Sequence, residues 1–303
     1  MRTTRLSRRT LALAGAALLT TVLTACGSGT DHDMPGMNHD GASPSASASA
    51  GHAMPGMDHG APVADGAGAP ADNRSGYRFD AAAATLPAGQ PTDYRFSITG
   101  PDGKPVTAFA VEQTKQMHFY AIRSDLTGFQ HLHPTMAPDG TWTAPLAALT
   151  SGSWRTYASF TPDTGDGKGT ALVLSRTVDV DGRADAAPLP AAATTTQVDG
   201  YTVTLQGAPM ATMAHPVTVT VTKDGKPVTD LQPYLDTYAH LTAFHEGDMA
   251  FAHLHPASAA AGGRGGPELA FHAEFPQAGN WRLFLQFQTA GQLHTAALTL
   301  KVG

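Results

Sequence analysis

One cysteine, Cys26, is all the thiol that the 303-residue chain contains. With no second cysteine there is no intrachain disulfide and no multi-thiolate metal site, so any ligand set must come from His, Met and carboxylates. Charge is also sparse, and cations are the scarcer sign, 19 Lys+Arg against 25 Asp+Glu. That balance argues against nucleic acid or an anionic membrane surface as partner and favours small cations. No G-x-S-x-G, phosphate-binding loop or H-E-x-x-H is present, and His245-Glu246 lacks the second histidine that a zinc protease needs, so no enzyme is expected. The longest apolar run, Leu11 to Thr24, falls short of the about 20 residues that span a bilayer.

That run follows a basic segment with Arg2, Arg5, Arg8 and Arg9, and together they read as a cleaved export signal over residues 1–25. Leu23-Thr24-Ala25-Cys26 resembles the lipobox of bacterial lipoproteins. The resemblance implies acylation of Cys26 and a membrane held through lipid alone, on the extracytoplasmic face. Arg8-Arg9 also resembles a twin-arginine signal. Without residues 1–25 the basic count falls by four to 15, which leaves the mature chain plainly acidic.

Residues 26–75 are Gly, Ala, Ser, Pro, Asp, Met and His with few large apolar side chains, a composition expected to form a disordered tether. Within it Met34-Pro35-Gly36-Met37-Asn38-His39 recurs 20 residues on as Met54-Pro55-Gly56-Met57-Asp58-His59. Each copy sets two thioethers on either side of a Pro-Gly turn with a histidine two residues beyond. Soft sulfur selects Cu(I), and imidazole also suits Cu(II) and zinc. Met34, Met37, His39, Met54, Met57 and His59 are therefore candidate copper ligands, with zinc as a compatible alternative. A plain low-complexity spacer is the competing reading, but four of the ten methionines fall in these two motifs.

The remainder is a larger duplication. Gly76-Tyr77, Asp102-Gly103-Lys104-Pro105-Val106-Thr107, His131-Leu132-His133-Pro134 and Gly152-Ser153-Trp154-Arg155 return as Gly200-Tyr201, Asp224-Gly225-Lys226-Pro227-Val228-Thr229, His253-Leu254-His255-Pro256 and Gly279-Asn280-Trp281-Arg282. Alternating stretches such as Tyr94 to Ile98 and Val217 to Val221, with Gly/Pro turns between, predict an all-β chain of two tandem immunoglobulin-like sandwiches. The repeats are placed at 76–184 and 198–303, joined by an Ala/Pro/Thr-rich linker at 185–197.

His118, His131 and His133 correspond to His240, His253 and His255 at identical spacing. Between Thr107/Thr229 and the His-Leu-His-Pro motif only three of 23 aligned positions agree, and one is the histidine. With Arg123 to Leu126 as a hairpin turn, His118 pairs with His131, and His133 lies on the same face. The equivalent register sets His240 opposite His253. Phe119, Ala121 and Leu132, like Leu241, Ala243 and Leu254, then face the core and leave the histidine face free for an ion, held in each repeat separately or shared where two such faces meet. A hydrogen-bonded polar cap is the alternative for that face. Met117, His245, Met249, His272 and His294, and the group Met210, Met213 and His215, occur in single copy and are weaker candidates.

The repeated H-x12-H-L-H-P arrangement behind an actinobacterial-type lipoprotein leader resembles secreted proteins of the YtkA-like kind. That resemblance implies small immunoglobulin-like domains linked to metal handling. The Met/His pattern of periplasmic copper chaperones for cytochrome oxidase is not reproduced. The expected function is extracytoplasmic copper capture, tolerance or delivery, the last implying a transfer partner. The alternative is a surface-displayed structural or interaction module without a functional metal.

Overall fold

The computed structural model describes residues 71–303, which fall in one compact unit. Residues 1–25, Cys26 and the Met/His motifs, on which the expectations of export, lipidation and copper ligation at the tether fall, lie outside the described residues. Repeat 1 contains β1 (Asn73–Arg74), β2 (Tyr77–Ala81), β3 (Thr85–Leu86), β4 (Thr92–Thr99), β5 (His118–Arg123), β6 (Gln130–Leu132), β7 (Thr135–Met136), β8 (Trp142–Leu146), β9 (Gly152–Phe160) and β10 (Leu172–Val180). Repeat 2 contains β11 (Thr195–Val198), β12 (Tyr201–Gln206), β13 (Ala214–Lys223), β14 (Lys226–Pro227), β15 (Ala239–His245), β16 (Phe251–Pro256), β17 (Glu268–Glu274), β18 (Gly279–Thr289) and β19 (Gln292–Val302).

Repeat 1 is a sandwich of two sheets, β1-β2-β4-β8-β7 and β3-β10-β9-β5-β6. In repeat 2 the order β11-β12-β13-β17-β16-β15-β18-β19 is continuous, because β16 pairs with β15 through Phe251–Leu254 and then with β17 through His255 and Pro256. The His-Leu-His-Pro segment is thus the point where the chain crosses between sheets. In repeat 1 the same crossing is broken: β6 ends at Leu132, and β7 joins the other sheet at Thr135. Pro134, with no N–H to donate, sits in that break.

Each core follows the two-residue period of a strand with one buried face. Tyr94, Phe96 and Ile98 of β4 point inward, as do Val217, Val219 and Val221 of β13. Trp154 and Trp281, equivalent residues, are 2% and 0% exposed, and both indoles donate to a carbonyl four residues upstream, Thr150 at 2.8 Å and Gln277 at 3.0 Å. Gly128, at φ +67°, permits the tight approach of Trp154, with which a Cβ there would collide.

β5 and β15 break the period, since His118 to Ile122 and Ala239 to Phe244 are buried without alternation. Both of their faces are covered. Phe119 and Ala121 face the repeat's own core, whereas Tyr120 and Ile122 join Leu126, Tyr157 and Val173 in a third apolar cluster. Repeat 2 supplies Phe244, Phe251 and Phe284 to that same cluster. The expectation of a histidine face free for ligand is therefore corrected: the two faces pack on each other. The reason is composition, because that face also carries large aromatics whose burial is worth about 1.5–3 kcal/mol each. The connecting segment is fixed as well. Ala187 N–H donates to Asp125 Oδ2 at 3.0 Å, Leu189 packs on the shared cluster, and Ala193 N–H donates to the Thr299 carbonyl at 2.9 Å.

Candidate metal centre at the seam between the repeats

The histidine hairpins form with a register two residues away from the expected one. Tyr120, not His118, lies opposite His131, and Thr242, not His240, lies opposite His253. The turn is longer than Arg123 to Leu126, with Arg123 N–H bonded to the Thr127 carbonyl and positive φ at Leu126 and Gly128. A two-residue shift keeps every side chain on its face, so the histidines still gather.

His118, His131 and His133 each place one nitrogen within 4.8 Å of the other two. Their tautomers follow from the neighbours. His118 Nε2 is 3.0 Å from the Glu112 carbonyl oxygen, an acceptor only, so Nε2 carries the proton and Nδ1 a bare lone pair. His131 Nδ1 is 2.7 Å from the Gln286 side-chain amide; with Oε1 on that side, as placed, Nδ1 donates and Nε2 is bare. The two bare nitrogens face each other at 3.2 Å. Two lone pairs at that distance repel unless a cation lies between them. Tetrahedral coordination with bonds of 2.0–2.1 Å sets ligand nitrogens about 3.3 Å apart.

A proton is a poor candidate for that cation. Burial, opposed by the Glu112 carbonyl bond and aided by Lys115, lowers the His118 pKa. Burial and the neighbouring His118 and His133 hold His131 well below the ordinary value. Burial, then His118 and Lys115, pushes His133 down to about 3. Buried imidazoles resist charging in this way because the ionised form loses hydration.

Repeat 2 closes over these groups. The His240 ring lies 4.7 Å from His131 and 5.6 Å from His118, and Tyr120 Oη is 3.1 Å from His240 Nε2. Burial pushes the Tyr120 phenol up, so it remains neutral. His253 stands 4.5 Å from His240, and His255 stands 4.8 Å from His253. His240, His253 and His255 do not gather as tightly as their counterparts: among the described residues only the first triad meets the distance condition. His255 is held in β16 opposite His272, whereas His133 lies in the break between β6 and β7.

A second asymmetry comes from β9 and β18. Gln286 pairs with His240 in the sheet as Ser159 pairs with His118, so the two are equivalent. Gln286 reaches across to His131, but Ser159 is too short to reach His253. The space is left as a cleft of about 400 Å³ bordered by Ser159, His118, His253, His255 and Lys115. His133 Nε2, His240 Nδ1 and His253 Nε2 are buried without a hydrogen-bond partner.

The weaker candidates lie elsewhere. Met117 is buried in the repeat 1 core, and Met249 packs on the shared cluster while its carbonyl accepts from Tyr157 Oη at 2.5 Å. His245 bonds Asp248 and the Ala278 carbonyl. His294 lies between Asp199 and Thr289. Met210 and Met213 are 52% and 55% exposed, and His215 is held in β13 beside β17. Glu112, Tyr120, Ser159 and Gln286 shape the centre, and no sequence spacing points to them because most come from strands distant in the chain.

A family model described as Domain of unknown function (DUF8832) matches residues 72–180 and again residues 196–303. No curated protein matches the chain. Among solved structures, the Escherichia coli adhesin FdeC is 16% identical over 75% of this chain and 64% of its own, with a TM-score of 0.24. Salmonella alpha-2-macroglobulin reacted with methylamine is 15% identical over 80% of this chain and 16% of its own, TM-score 0.25. The Ig1-2 module of the Drosophila receptor protein tyrosine phosphatase DLAR is 9% identical over 75% and 98%, TM-score 0.20. The chain thus spans less than two thirds of the adhesin structure and about a sixth of the macroglobulin. TM-scores this low carry no functional argument.

Proposed function

We propose that this chain, which belongs to the DUF8832 family and carries its domain twice, is a non-catalytic binding module that holds a transition-metal ion at the seam of its two sandwiches. The observation that carries the reading is the pair of bare nitrogens, His118 Nδ1 and His131 Nε2, facing each other at 3.2 Å. His133 supplies the third ligand. The Glu112 carbonyl and Gln286 act as outer partners that fix the tautomers.

Copper is the metal we favour, because the same chain carries Met34, Met37, Met54 and Met57 beside His39 and His59. Thioethers suit Cu(I) and an all-imidazole seam suits Cu(II) or zinc, so the two regions would serve different oxidation states. The leader ending in Cys26 supports an extracytoplasmic, lipid-anchored location, where capture or delivery of copper has a use. A Cys26→Ser variant should leave the membrane fraction.

A second reading has its own observation. His131 to Gln286 and Tyr120 to His240 are hydrogen bonds between repeats, so the histidines also serve as polar contacts in a rigid two-sandwich display module. Metal analysis of the purified mature protein with Cu(I) and Cu(II) titrations separates the two. Metal stoichiometry that is unchanged after deleting residues 27–75 and replacing His118, His131 and His133 by Ala leaves only the display module.

A further inference from the structure

We infer that the seam holds a second ion position, formed by His240 Nδ1 and His253 Nε2 and entered through the cleft beside Ser159. This rests on the metal reading above. Duplication supplies the first argument. His240 and His253 are the copies of His118 and His131, and the two nitrogens without partners in repeat 2, Nδ1 and Nε2, are the same two that face each other in repeat 1.

Burial supplies the second. The His240 side chain is 0% exposed, its Nε2 is engaged by Tyr120, and its Nδ1 is left with nothing to bond. A buried polar atom without a partner has given up its hydration with nothing in return. One cation bound by both nitrogens removes two such penalties. The rings already stand 4.5 Å apart at 44°, so closing on a shared ion needs side-chain rotation and no change of strand register.

Access supplies the third. The repeat 1 pair is capped by Gln286, but Ser159 leaves the cleft open at His253, with His255 on the same wall. His118 of the first pair lines the same cleft as His253 and His255, so an ion entering there reaches both pairs from one side. Neither pair includes a carboxylate, so two ions on neutral imidazoles repel, and filling is sequential. Lys115 on the rim suits an accompanying anion.

The test uses the full chain with His32, Met34, Met37, His39, His52, Met54, Met57 and His59 all replaced by Ala, so that no His or Met ligand is left between residues 27 and 75. Zn²⁺ is titrated and bound ions are counted by native mass spectrometry. Two ions are expected, the second at least tenfold weaker, and His253→Asn should remove the second only. Saturation at one ion that is lost in His131→Asn but retained in His253→Asn overturns the second position and leaves the proposed function standing. No ion at all overturns both. If His253→Asn does not fold by near-ultraviolet circular dichroism, the unsubstituted seam still decides. Loaded with two equivalents of Cu²⁺, it should give a dipolar-coupled electron paramagnetic resonance spectrum, and a single uncoupled copper overturns the inference.

Discussion

His118 and His240, the same position in two copies of one repeat, lie ring over ring across the seam, 5.6 Å between centres and 5° between planes. A residue that touches its own copy lies on a two-fold axis, the signature of an isologous contact. The flanking aromatics obey the same operator: Phe129 stacks on Phe284 at 4.2 Å, and their copies Phe251 and Tyr157 stack at 5.4 Å. The chain is a homodimer interface written into one polypeptide.

Such a seam makes the repeats a single cooperative unit. Phe244 is 0% exposed and contacts Tyr157, Phe129 and Phe284. Phe244→Ala should cost about 3–5 kcal/mol. Because the loss falls on the seam more than on either core, calorimetry should resolve two transitions where the unsubstituted protein gives one. Two transitions already present in the unsubstituted protein would mean that the seam does not couple the repeats.

Gln286 contributes no atom to the triad, yet it decides which nitrogen of His131 is bare. Gln286→Leu keeps the bulk and removes the acceptor. Outer partners of this kind are typically worth 10–100-fold in metal affinity. A Zn²⁺ titration of the variant should show a weakening in that range, although the substitution lies in the other repeat. Affinity that does not change would remove Gln286 from the site.

Acid should open the metal-free seam. His240 titrates near 6.5 when unfolded, but in the fold burial, followed by the nearby His253, His131, His118 and His133, holds its pKa well below that value. Between those two values the unfolded chain binds the proton and the folded chain does not, so stability is full above about pH 6.5 and falls as pH drops below it. His131 and His253 shift in the same direction, so each adds to the acid sensitivity of the seam. Melting temperature measured from pH 7.5 to 4.5 should fall steeply, and His240→Asn should flatten the slope.

The duplication, the all-β class and the grouping of the histidines on one face were legible because strand periodicity and the His-Leu-His-Pro copies are local patterns. Register was not. His118 and His131 are one even step from direct opposition, and the turn length that sets the step depends on Leu126 and Gly128 adopting positive φ. The covered face was legible only in part. Tyr120 and Phe244 on an alternating strand look like exposed aromatics until a second sheet is placed against them. Ser159 and Gln286 carry the asymmetry of the centre, and nothing in their own neighbourhoods distinguishes a sheet residue from an outer ligand.

If one ion is held by His118, His131 and His133 and steadied by Gln286, it binds the folded chain, and most tightly where the repeats are docked. Ligands that bind only the folded state stabilise it by about 2.7 kcal/mol at one hundred times the dissociation constant. Zn²⁺ at that excess should raise the melting temperature, and a chelator should reverse the rise. His131→Asn should abolish the shift. His245→Asn serves as the control, because His245 is satisfied by Asp248 and the Ala278 carbonyl at the far end of β15. A rise that survives in His131→Asn and disappears in His245→Asn would move the binding site to the Asp248 turn.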